Sequence, residues 1–342
     1  MSVIQKYSEG KAWEKKILGT KGKKTSRMYR TVCSVFMVAI CLLIVSAGTS
    51  SAQHRARLGD LVPTDTIVMG IVPAEDPSIA LERQKPLTDY LSERLGRPIR
   101  VFFATDYTGV VEAMRAGQIH MAWFGPFSYV LAAERANAVP VAVAMHDDGS
   151  VSYRSYFISS PEVARVLNIT EPLEGKEGIQ ELFRRLEPHK RQFSFTFTDP
   201  ASTSGFAVPR FNIHQGTNGG EPEDWFSRVG FSGSHDAGQM MIRQGTIDIA
   251  AVWDKRYHEM ISAGTISPET NVKIFRSSPI PESPIAFRRD LDPEIIKKIQ
   301  QAFADMPQEI ARTQGETYKG YQIVTEEDYQ IIVEIKELLD RL

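Results

Sequence analysis

Short apolar runs alternate with amphipathic segments along most of the chain after residue 65. Residues 66–72 and 99–104 are apolar runs of strand length, and residues 78–95 carry apolar side chains at helical spacing. Pro86 predicts a kink or a later start in that helix, and Gly96 is expected to end it. The same patterns predict further strands at residues 121–124, 139–145 and 153–158. They predict further helices at residues 107–115 and 128–136.

The alternation restarts after about residue 160. Strands are predicted at residues 191–197, 247–253 and 272–276, and helices at residues 176–186, from Ser202, and at 236–244, 255–263, 293–306 and 326–341. Such alternation is typical of an α/β fold with mostly parallel sheets. Residues 115–122 weakly resemble residues 243–250, with Arg, Gly, Ile and Ala at matching places. This internal similarity has two explanations: a common helix-to-strand turn, or two similarly built lobes with a cleft between them.

Residues 1–52 form a separate N-terminal segment with nine basic and two acidic side chains. No charged residue lies between Thr31 and Gln53, and small residues at positions 50 and 52 allow cleavage after Ala52. This layout predicts a secretory signal peptide, and the alternative is an uncleaved membrane anchor through residues 31–52. The basic leader is unusually long, so Met28 is a second candidate for the start of translation.

Composition and charge exclude several classes of protein. The chain is 42% hydrophobic and 24% charged, which is ordinary for a globular protein. The N-terminal segment has a net charge of +7 and the remainder −9, and an acidic body argues against nucleic-acid binding. Both cysteines, Cys33 and Cys41, lie in the N-terminal segment. The body therefore has no cysteine nucleophile and no thiolate metal site.

The segment from Thr198 to Gly205, Thr-Asp-Pro-Ala-Ser-Thr-Ser-Gly, follows a predicted strand and opens a helix. Ser202, Thr203 and Ser204 place three hydroxyl groups beside the free backbone N–H groups of the helix start, where the helix dipole adds partial positive charge. Such a turn can hold an oxyanion without any Lys or Arg. The alternative is that one hydroxyl only caps the helix.

Other strand-to-helix turns carry similar candidates. Tyr107 lies in one turn, and Gly125 allows close backbone approach in another, next to Trp123 and Phe124, which we predict to be core residues. His235 begins a helix and could donate to an anion with a charge that depends on pH, although a lone histidine is more often structural.

Two acids complete the set of candidates. Asp254 could accept a proton from a ligand P–OH group or pair with a ligand amine, and Glu282 is a second acid of this kind. The alternatives are a helix N-cap for Asp254 and an exposed loop carboxylate for Glu282. The body has no Gly-x-Ser-x-Gly, phosphate-binding-loop or His-Glu-x-x-His motif, and its histidines lack metal-ligand spacing. A hydrolase using Ser202 and His235 is therefore only a weak alternative.

Taken together, these segments resemble the periplasmic phosphonate- and phosphite-binding proteins of ABC importers over roughly residues 66–306. The likeness rests on six motifs in the right order: Gly70 to Asp76, Ala104 to Gly117, Ala122 to Pro126, Asp199 to Gly205, Gly233 to Asp236, and Pro279 to Pro281. Any one of these motifs alone would be a weak signal.

The resemblance implies a two-lobed type II periplasmic-binding fold with a ligand cleft between the lobes. Lobe 1 is expected to comprise residues 53–157 and 265–342, and lobe 2 residues 158–264, with crossings near 155–160 and 260–270. The resemblance implies that the phosphorus oxygens are bound by Tyr107, Ser202, Thr203, Ser204 and His235. It implies that a ligand amine is bound by Asp254 and Glu282. A further tyrosine near the first crossing is Tyr153 or Tyr156. Gly125 completes the predicted site.

Two departures from the family bear on the ligand. His120 replaces a common acid, and Trp253 replaces a smaller residue and would tighten the pocket, which favours phosphite or a small alkylphosphonate. The sequence therefore predicts a periplasmic receptor, not an enzyme, that needs no cofactor or metal and delivers a small phosphorus oxyanion to an ABC permease in the inner membrane. The alternatives are a membrane-tethered oxyanion sensor and a receptor for phosphate or another tetrahedral oxyanion.

Overall fold

A computed structural model describes residues 65–342 of the chain. The predicted signal peptide, its anchor alternative and the second start candidate, Met28, lie outside these residues. Within residues 65–342, no helix is both long enough and apolar enough to cross a membrane.

The described residues alternate between strands and helices, which confirms the predicted α/β class. The strands are β1 (Ile67–Ile71), β2 (Ile99–Phe103), β3 (Met121–Trp123), β4 (Ala138–His146), β5 (Ser152–Tyr153), β6 (Ser155–Ser159), β7 (Leu173–Glu174), β8 (Ser194–Phe197), β9 (Arg228–Phe231), β10 (Ile249–Trp253), β11 (Val272–Arg276), β12 (Ile280–Pro281), β13 (Pro284–Arg288) and β14 (Tyr318–Ile323). The helices are α1 (Pro77–Leu95), α2 (Tyr107–Arg115), α3 (Pro126–Ala136), α4 (Pro161–Val166), α5 (Gly175–Leu186), α6 (Val208–Gly216), α7 (Pro222–Trp225), α8 (His235–Arg243), α9 (Asp254–Ser262), α10 (Pro293–Ala304), α11 (Gln308–Gln314) and α12 (Gln330–Leu339).

Local signals in the sequence set several of these boundaries. The Asp76 side chain accepts a hydrogen bond from the Ser78 N–H group at 2.9 Å at the start of α1, and Gly96 ends the helix in a left-handed conformation. Helix α1 begins at Pro77 and continues through Pro86, so the alternative of a start at Pro86 is wrong. The two similar segments, residues 115–122 and 243–250, are both helix-to-strand turns, from α2 to β3 and from α8 to β10.

Two six-stranded sheets form the core of the described chain. The first sheet has the order β14-β4-β13-β3-β1-β2, and the second has the order β7-β11-β6-β10-β8-β9. Helices α1 and α10 pack on one face of the first sheet, and α2, α3 and α12 pack on the other. The second sheet is likewise covered on both faces, by α4 and α5 and by α8 and α9. Burial on both faces explains why the strands read as apolar runs in the sequence.

Both sheets are mixed but mostly parallel, as predicted: β13 and β14 oppose the other four strands of the first sheet, and β6 opposes the other five strands of the second. Strand β1 runs parallel to β2 and β3, and β8 runs parallel to β9 and β10. Strand β13 runs antiparallel to β3 and β4, and β6 runs antiparallel to β10 and β11. These two strands each enter a sheet directly from the other one, without the crossover helix that parallel pairing requires.

The chain passes between the sheets through residues 147–154 and 277–283. Within these passages β5 and β12 pair as a two-stranded ribbon that joins Tyr153 to Ile280. Strands β6 and β11 both belong to the second sheet. The first passage therefore lies earlier along the chain than the predicted crossing near 155–160, and the second lies later than the predicted crossing near 260–270.

Candidate functional site

A small cavity lies between segments that belong to the two sheets, close to the ends of β1, β3, β8 and β10. Its volume is about 20 Å³. Twelve residues line it: Val72, Ala74, Tyr107, Trp123, Phe124, Gly125, Tyr153, Thr203, Ser204, His235, Trp253 and Ser283.

Six of the nine predicted binding residues line this cavity: Tyr107, Gly125, Tyr153, Thr203, Ser204 and His235. The sequence left open whether Tyr153 or Tyr156 belonged to the site, and the structure places Tyr153 in this cavity. Ser202 lies beside the cavity at the helix start, and Asp254 and Glu282 line a neighbouring cavity instead. Val72, Ala74 and Ser283 also line the small cavity, and the sequence analysis did not select them.

The turn after β8 has an unusual backbone. Residues Thr203–Ala207 wind as a π-type turn, in which the Ala207 N–H group donates to the Ser202 carbonyl at 3.0 Å. Turns of this kind often occur at functional sites. A methyl group on Gly205 would lie only 2.3 Å from the Thr198 side chain. The position therefore requires glycine, and it brings the two hydroxyl residues before it to the cavity.

Ser202 has the capping role that the sequence analysis gave as an alternative. Its hydroxyl oxygen accepts a hydrogen bond from the Gly205 N–H group at 3.1 Å. It also contacts the hydroxyl group of Tyr107, which lines the cavity. Burial raises the pKa of Tyr107, so its hydroxyl group stays protonated and can donate.

Thr203 and Ser204 present the hydroxyl groups of this turn to the cavity. The Thr203 oxygen accepts the Phe127 N–H group at 2.8 Å, which leaves the Thr203 proton free to donate elsewhere. The Tyr153 hydroxyl group contacts both side chains, and burial raises the pKa of Tyr153 well above its usual value. Gly125 lies so close that an added methyl group would be 3.0 Å from the Thr203 oxygen. These contacts place several protonated donors around one point.

His235 is buried, and its hydrogen bonds fix its tautomer. The Trp253 backbone N–H group donates to Nδ1 of His235 at 3.0 Å. Because Nδ1 must then carry a lone pair, the proton of the neutral ring lies on Nε2. Burial lowers the pKa of His235 to about 3. The expectation that its charge would change with pH is thereby corrected: His235 is a neutral donor at physiological pH.

This assignment predicts the nitrogen spectrum of His235. In ¹⁵N-detected histidine spectra of the protein, we expect a protonated Nε2 and an unprotonated Nδ1, with shifts that do not change between pH 5 and pH 9. A titration midpoint near the ordinary histidine pKa of about 6.5 would contradict the lowered pKa, and a protonated Nδ1 would contradict the tautomer assignment.

An aromatic wall bounds the rest of the cavity. The rings of Trp123 and Trp253 are 5.9 Å apart, and the rings of Tyr153 and Trp253 are 6.1 Å apart. Trp123 and Phe124, which we predicted to be core residues, therefore line the cavity as well as packing in the core. Trp253 lines the cavity, and the resemblance predicted that this side chain would tighten the pocket. Its indole nitrogen is buried and has no hydrogen-bond partner among the described residues.

A second cavity adjoins the first and shares Tyr153 with it. Its volume is about 300 Å³. It is lined by tyrosines, acids, histidines and one lysine, among other residues: Tyr153, Tyr156, Tyr318, Asp254, Glu259, Glu282, Glu316, His146, His258 and Lys255. Glu282 is buried rather than exposed, and it lies 3.4 Å from Nε2 of His146.

Asp254 is the first residue of α9 and holds the first passage between the sheets. Its carboxylate accepts the Arg154 N–H group at 2.8 Å and the Lys255 N–H group at 2.7 Å. The Asp254 N–H group in turn donates to the Arg154 carbonyl at 3.2 Å. Burial raises the pKa of Asp254 to about 7 despite these hydrogen bonds. The side chain therefore has a clear structural role at the edge of the second cavity.

The raised pKa of Asp254 predicts a pH dependence of stability. The folded protein keeps this proton up to about pH 7, whereas the unfolded chain releases it near pH 4. The contribution of Asp254 to the free energy of unfolding should thus be largest at acidic pH and fall as the pH rises from about 4 to 7. Denaturant unfolding of the wild type and of Asp254→Asn across this range measures the difference. An unchanged slope in the variant would contradict the raised pKa.

The small cavity has the chemistry of an oxyanion site. Hydroxyl groups, a neutral imidazole N–H group and the N–H groups of a helix start surround it, and none of its twelve lining residues is Lys or Arg. Preorganised neutral donors can stabilise an anion in a buried site because the competing water is excluded. The aromatic wall suits an apolar substituent on that anion.

Comparison with known proteins agrees with this chemistry. Residues 69–329 match the family described as ABC transporter, phosphonate, periplasmic substrate-binding protein. The phosphate-import protein PhnD of Mycolicibacterium smegmatis is 30% identical over 274 residues, which cover 78% of this chain and 79% of that protein. The phosphonates-binding periplasmic protein of Escherichia coli is 27% identical, over 68% of this chain and 64% of that protein.

Solved structures show the same fold. A binding protein component of an ABC phosphonate transporter from Pseudomonas aeruginosa has a TM-score of 0.68 and 22% identity, covering 81% of this chain and 87% of that one. PhnD1 from Prochlorococcus marinus, solved in complex with methylphosphonate, has a TM-score of 0.69 and 19% identity, covering 81% and 99%. The fold is that of type II periplasmic binding proteins, and the chain belongs to the family of periplasmic substrate-binding proteins of phosphonate ABC transporters.

Proposed function

We propose that the protein binds a small phosphorus oxyanion, of the phosphonate or phosphite class, in the small cavity. The observation that carries this proposal is the convergence of Thr203, Ser204 and Nε2 of His235 on one cavity without a cationic side chain. Micromolar affinity requires about −8 kcal/mol. Several hydrogen bonds to a charged ligand, each contributing about 1.5–3 kcal/mol, can supply this after the costs of binding.

The cavity walls support a small ligand. The Trp123 and Trp253 rings and Tyr153 face the donors and leave little room for a substituent. A hydrogen atom or a methyl group on phosphorus would contact this aromatic wall without adding a ligand oxygen that needs a partner there. A fourth ligand oxygen would need a further hydrogen-bond partner there, since burying an unpaired polar group is costly.

Contacts between segments of the two sheets support closure around the ligand. Phe127 in α3 donates to Thr203 in the turn after β8, and the His235 N–H group donates to the Ala74 carbonyl at 3.1 Å. We propose that the two sheets are the cores of two lobes that close about residues 147–154 and 277–283 when ligand binds. The closed form would then dock on the permease in the inner membrane.

The hydrogen bonds of the site support a receptor without catalysis. A hydrolase mechanism would need His235 to activate Ser202. Ser202 instead caps the turn outside the cavity, and Nδ1 of His235 is occupied by the Trp253 N–H group. A histidine with a pKa of about 3 is also a poor general base. We propose a periplasmic location, with the tethered sensor as the alternative that membrane fractionation would detect.

A thermal-shift panel on the purified protein tests the proposed ligand class. A ligand present at 100 times its dissociation constant adds about 2.7 kcal/mol of stability, which should raise the melting temperature by several degrees. We expect a shift with phosphite or methylphosphonate and none with sulfate, while hypophosphite and 2-aminoethylphosphonate test ligand size. No shift with any phosphorus ligand would contradict the proposed function.

Phosphate is a second candidate ligand, because the relative from Mycolicibacterium smegmatis is named as a phosphate-import protein. The unpartnered indole N–H group of Trp253 is the available donor for a fourth ligand oxygen. If phosphate is the ligand, Trp253→Phe should weaken phosphate binding by about tenfold or more, the expected effect of losing one hydrogen bond to a charged group. The same variant should leave methylphosphonate binding nearly unchanged, so calorimetry with both ligands separates the two candidates.

A further inference from the structure

A substituent longer than a methyl group would need space beyond the small cavity, and the second cavity offers that space. It shares Tyr153 with the small cavity, and it is many times larger. Three tyrosines and four acids line it, and faces of aromatic rings with nearby carboxylates are the surroundings that ammonium groups favour. These surroundings alone would favour a phosphonate with an amino group on its substituent.

The ammonium group of Lys255 already occupies these surroundings. Its Nζ atom lies 4.5 Å from the ring centre of Tyr318, 5.0 Å from that of Trp253 and 6.0 Å from that of Trp123. It donates to the Gln314 carbonyl at 2.5 Å and lies 3.8 Å from Glu259. Only 13% of the Lys255 side chain is exposed. The ammonium group thus lies behind the tryptophan wall of the small cavity.

Two of the four acids that line this cavity already have partners within the protein. Glu259 also pairs with Arg83 at 2.9 Å and with Arg256 at 3.1 Å. Burial lowers the pKa of Lys255, whereas the charges of Glu259 and Glu282 raise it. Glu282 also accepts a hydrogen bond from the Ser283 N–H group at 2.9 Å. A second ammonium group in this cavity would therefore meet a like charge at close range and acids that already have partners.

We propose that Lys255 is a specificity-determining residue, an internal cation that excludes phosphonates bearing an ammonium group and favours those with an uncharged substituent. This inference rests on the proposed function, because it concerns the substituent of a bound phosphonate. A purely structural role, in which Lys255 only ties α9 to α11 through Gln314, would affect stability without changing the preference between ligands.

The ratio of two affinities distinguishes these roles. Calorimetry should compare methylphosphonate with 2-aminoethylphosphonate for the wild type, Lys255→Met and Lys255→Gln. The wild type should favour methylphosphonate, and both variants should shift the ratio toward 2-aminoethylphosphonate by about tenfold or more, the effect of replacing one desolvated cation–π contact. Lys255→Gln keeps a donor for the Gln314 carbonyl and so guards against loss of the tie between helices.

Lys273→Met is the matched control. The Lys273 ammonium group also lies over aromatic rings, at 5.2 Å from Tyr156 and 5.6 Å from Tyr257, but Lys273 lines neither cavity. The ratio of the affinities for methylphosphonate and 2-aminoethylphosphonate should be the same in Lys273→Met as in the wild type. A wild type that binds neither phosphonate would overturn the proposed function itself. A wild type that binds methylphosphonate, with an unchanged ratio in folded Lys255 variants, would overturn only the role of Lys255.

Discussion

Replacing His235 with phenylalanine is expected to weaken methylphosphonate binding about 100-fold, which is near the upper end for loss of one hydrogen bond to a charged group. The expectation follows from the Trp253 N–H group, which leaves Nε2 of His235 as the donor toward the cavity. Phenylalanine keeps the planar ring and removes both nitrogens. It also leaves the buried Trp253 N–H group without its acceptor. Isothermal titration calorimetry measures the loss of affinity.

Two variants serve as controls for this prediction. His235→Gln retains an amide N–H group near the position of Nε2, so it should bind more tightly than His235→Phe. His214→Phe replaces a histidine in α6 that lines neither cavity described above, and it should keep the affinity of the wild type. Binding by His235→Phe at the level of the wild type would mean that His235 is structural only.

Gly205→Ala is expected to abolish measurable binding and to lower the melting temperature by several degrees. A methyl group at this position would lie 2.3 Å from the Thr198 side chain and 2.8 Å from the Ser202 oxygen. Relieving this overlap must displace the turn that carries Thr203 and Ser204, and overpacking of this kind costs about 1–3 kcal/mol. Thermal melts and calorimetry measure the two effects.

Gly230→Ala is the matched control for this substitution. A methyl group on Gly230, which lies in strand β9, would meet no atom within 4 Å. Stability and ligand affinity should therefore stay close to those of the wild type. If Gly205→Ala behaved like Gly230→Ala, the close packing of the turn against Thr198 would have no importance for the site.

Strand-to-helix turns made much of the site predictable from the sequence. Tyr107, Gly125, Thr203, Ser204 and His235 all follow buried strands or open helices, and such positions meet at the ends of strands in α/β folds. Their residue types also indicate donors for an anion. For these reasons the polar side of the cavity could be anticipated before its geometry was known.

Other features depend on contacts that a linear pattern does not contain. The reversed direction of β6 and β13 depends on where the chain passes between the sheets, which the alternation of elements does not show. The tautomer of His235 depends on a backbone N–H group 18 positions away in the chain. Asp254 is held by Arg154, a partner that only the fold brings near, and it lines the second cavity for that reason. Lys255 carried no sequence signal at all.

We propose that uncharged donors on the turn after β8 and on His235 hold a phosphorus oxyanion. A crystal structure of the protein grown with methylphosphonate would test this proposal. We expect the phosphorus atom in the small cavity, with its oxygens within hydrogen-bond distance of Thr203, Ser204 and Nε2 of His235. Phosphorus density in the second cavity, or a small cavity without ligand when calorimetry shows binding, would contradict it.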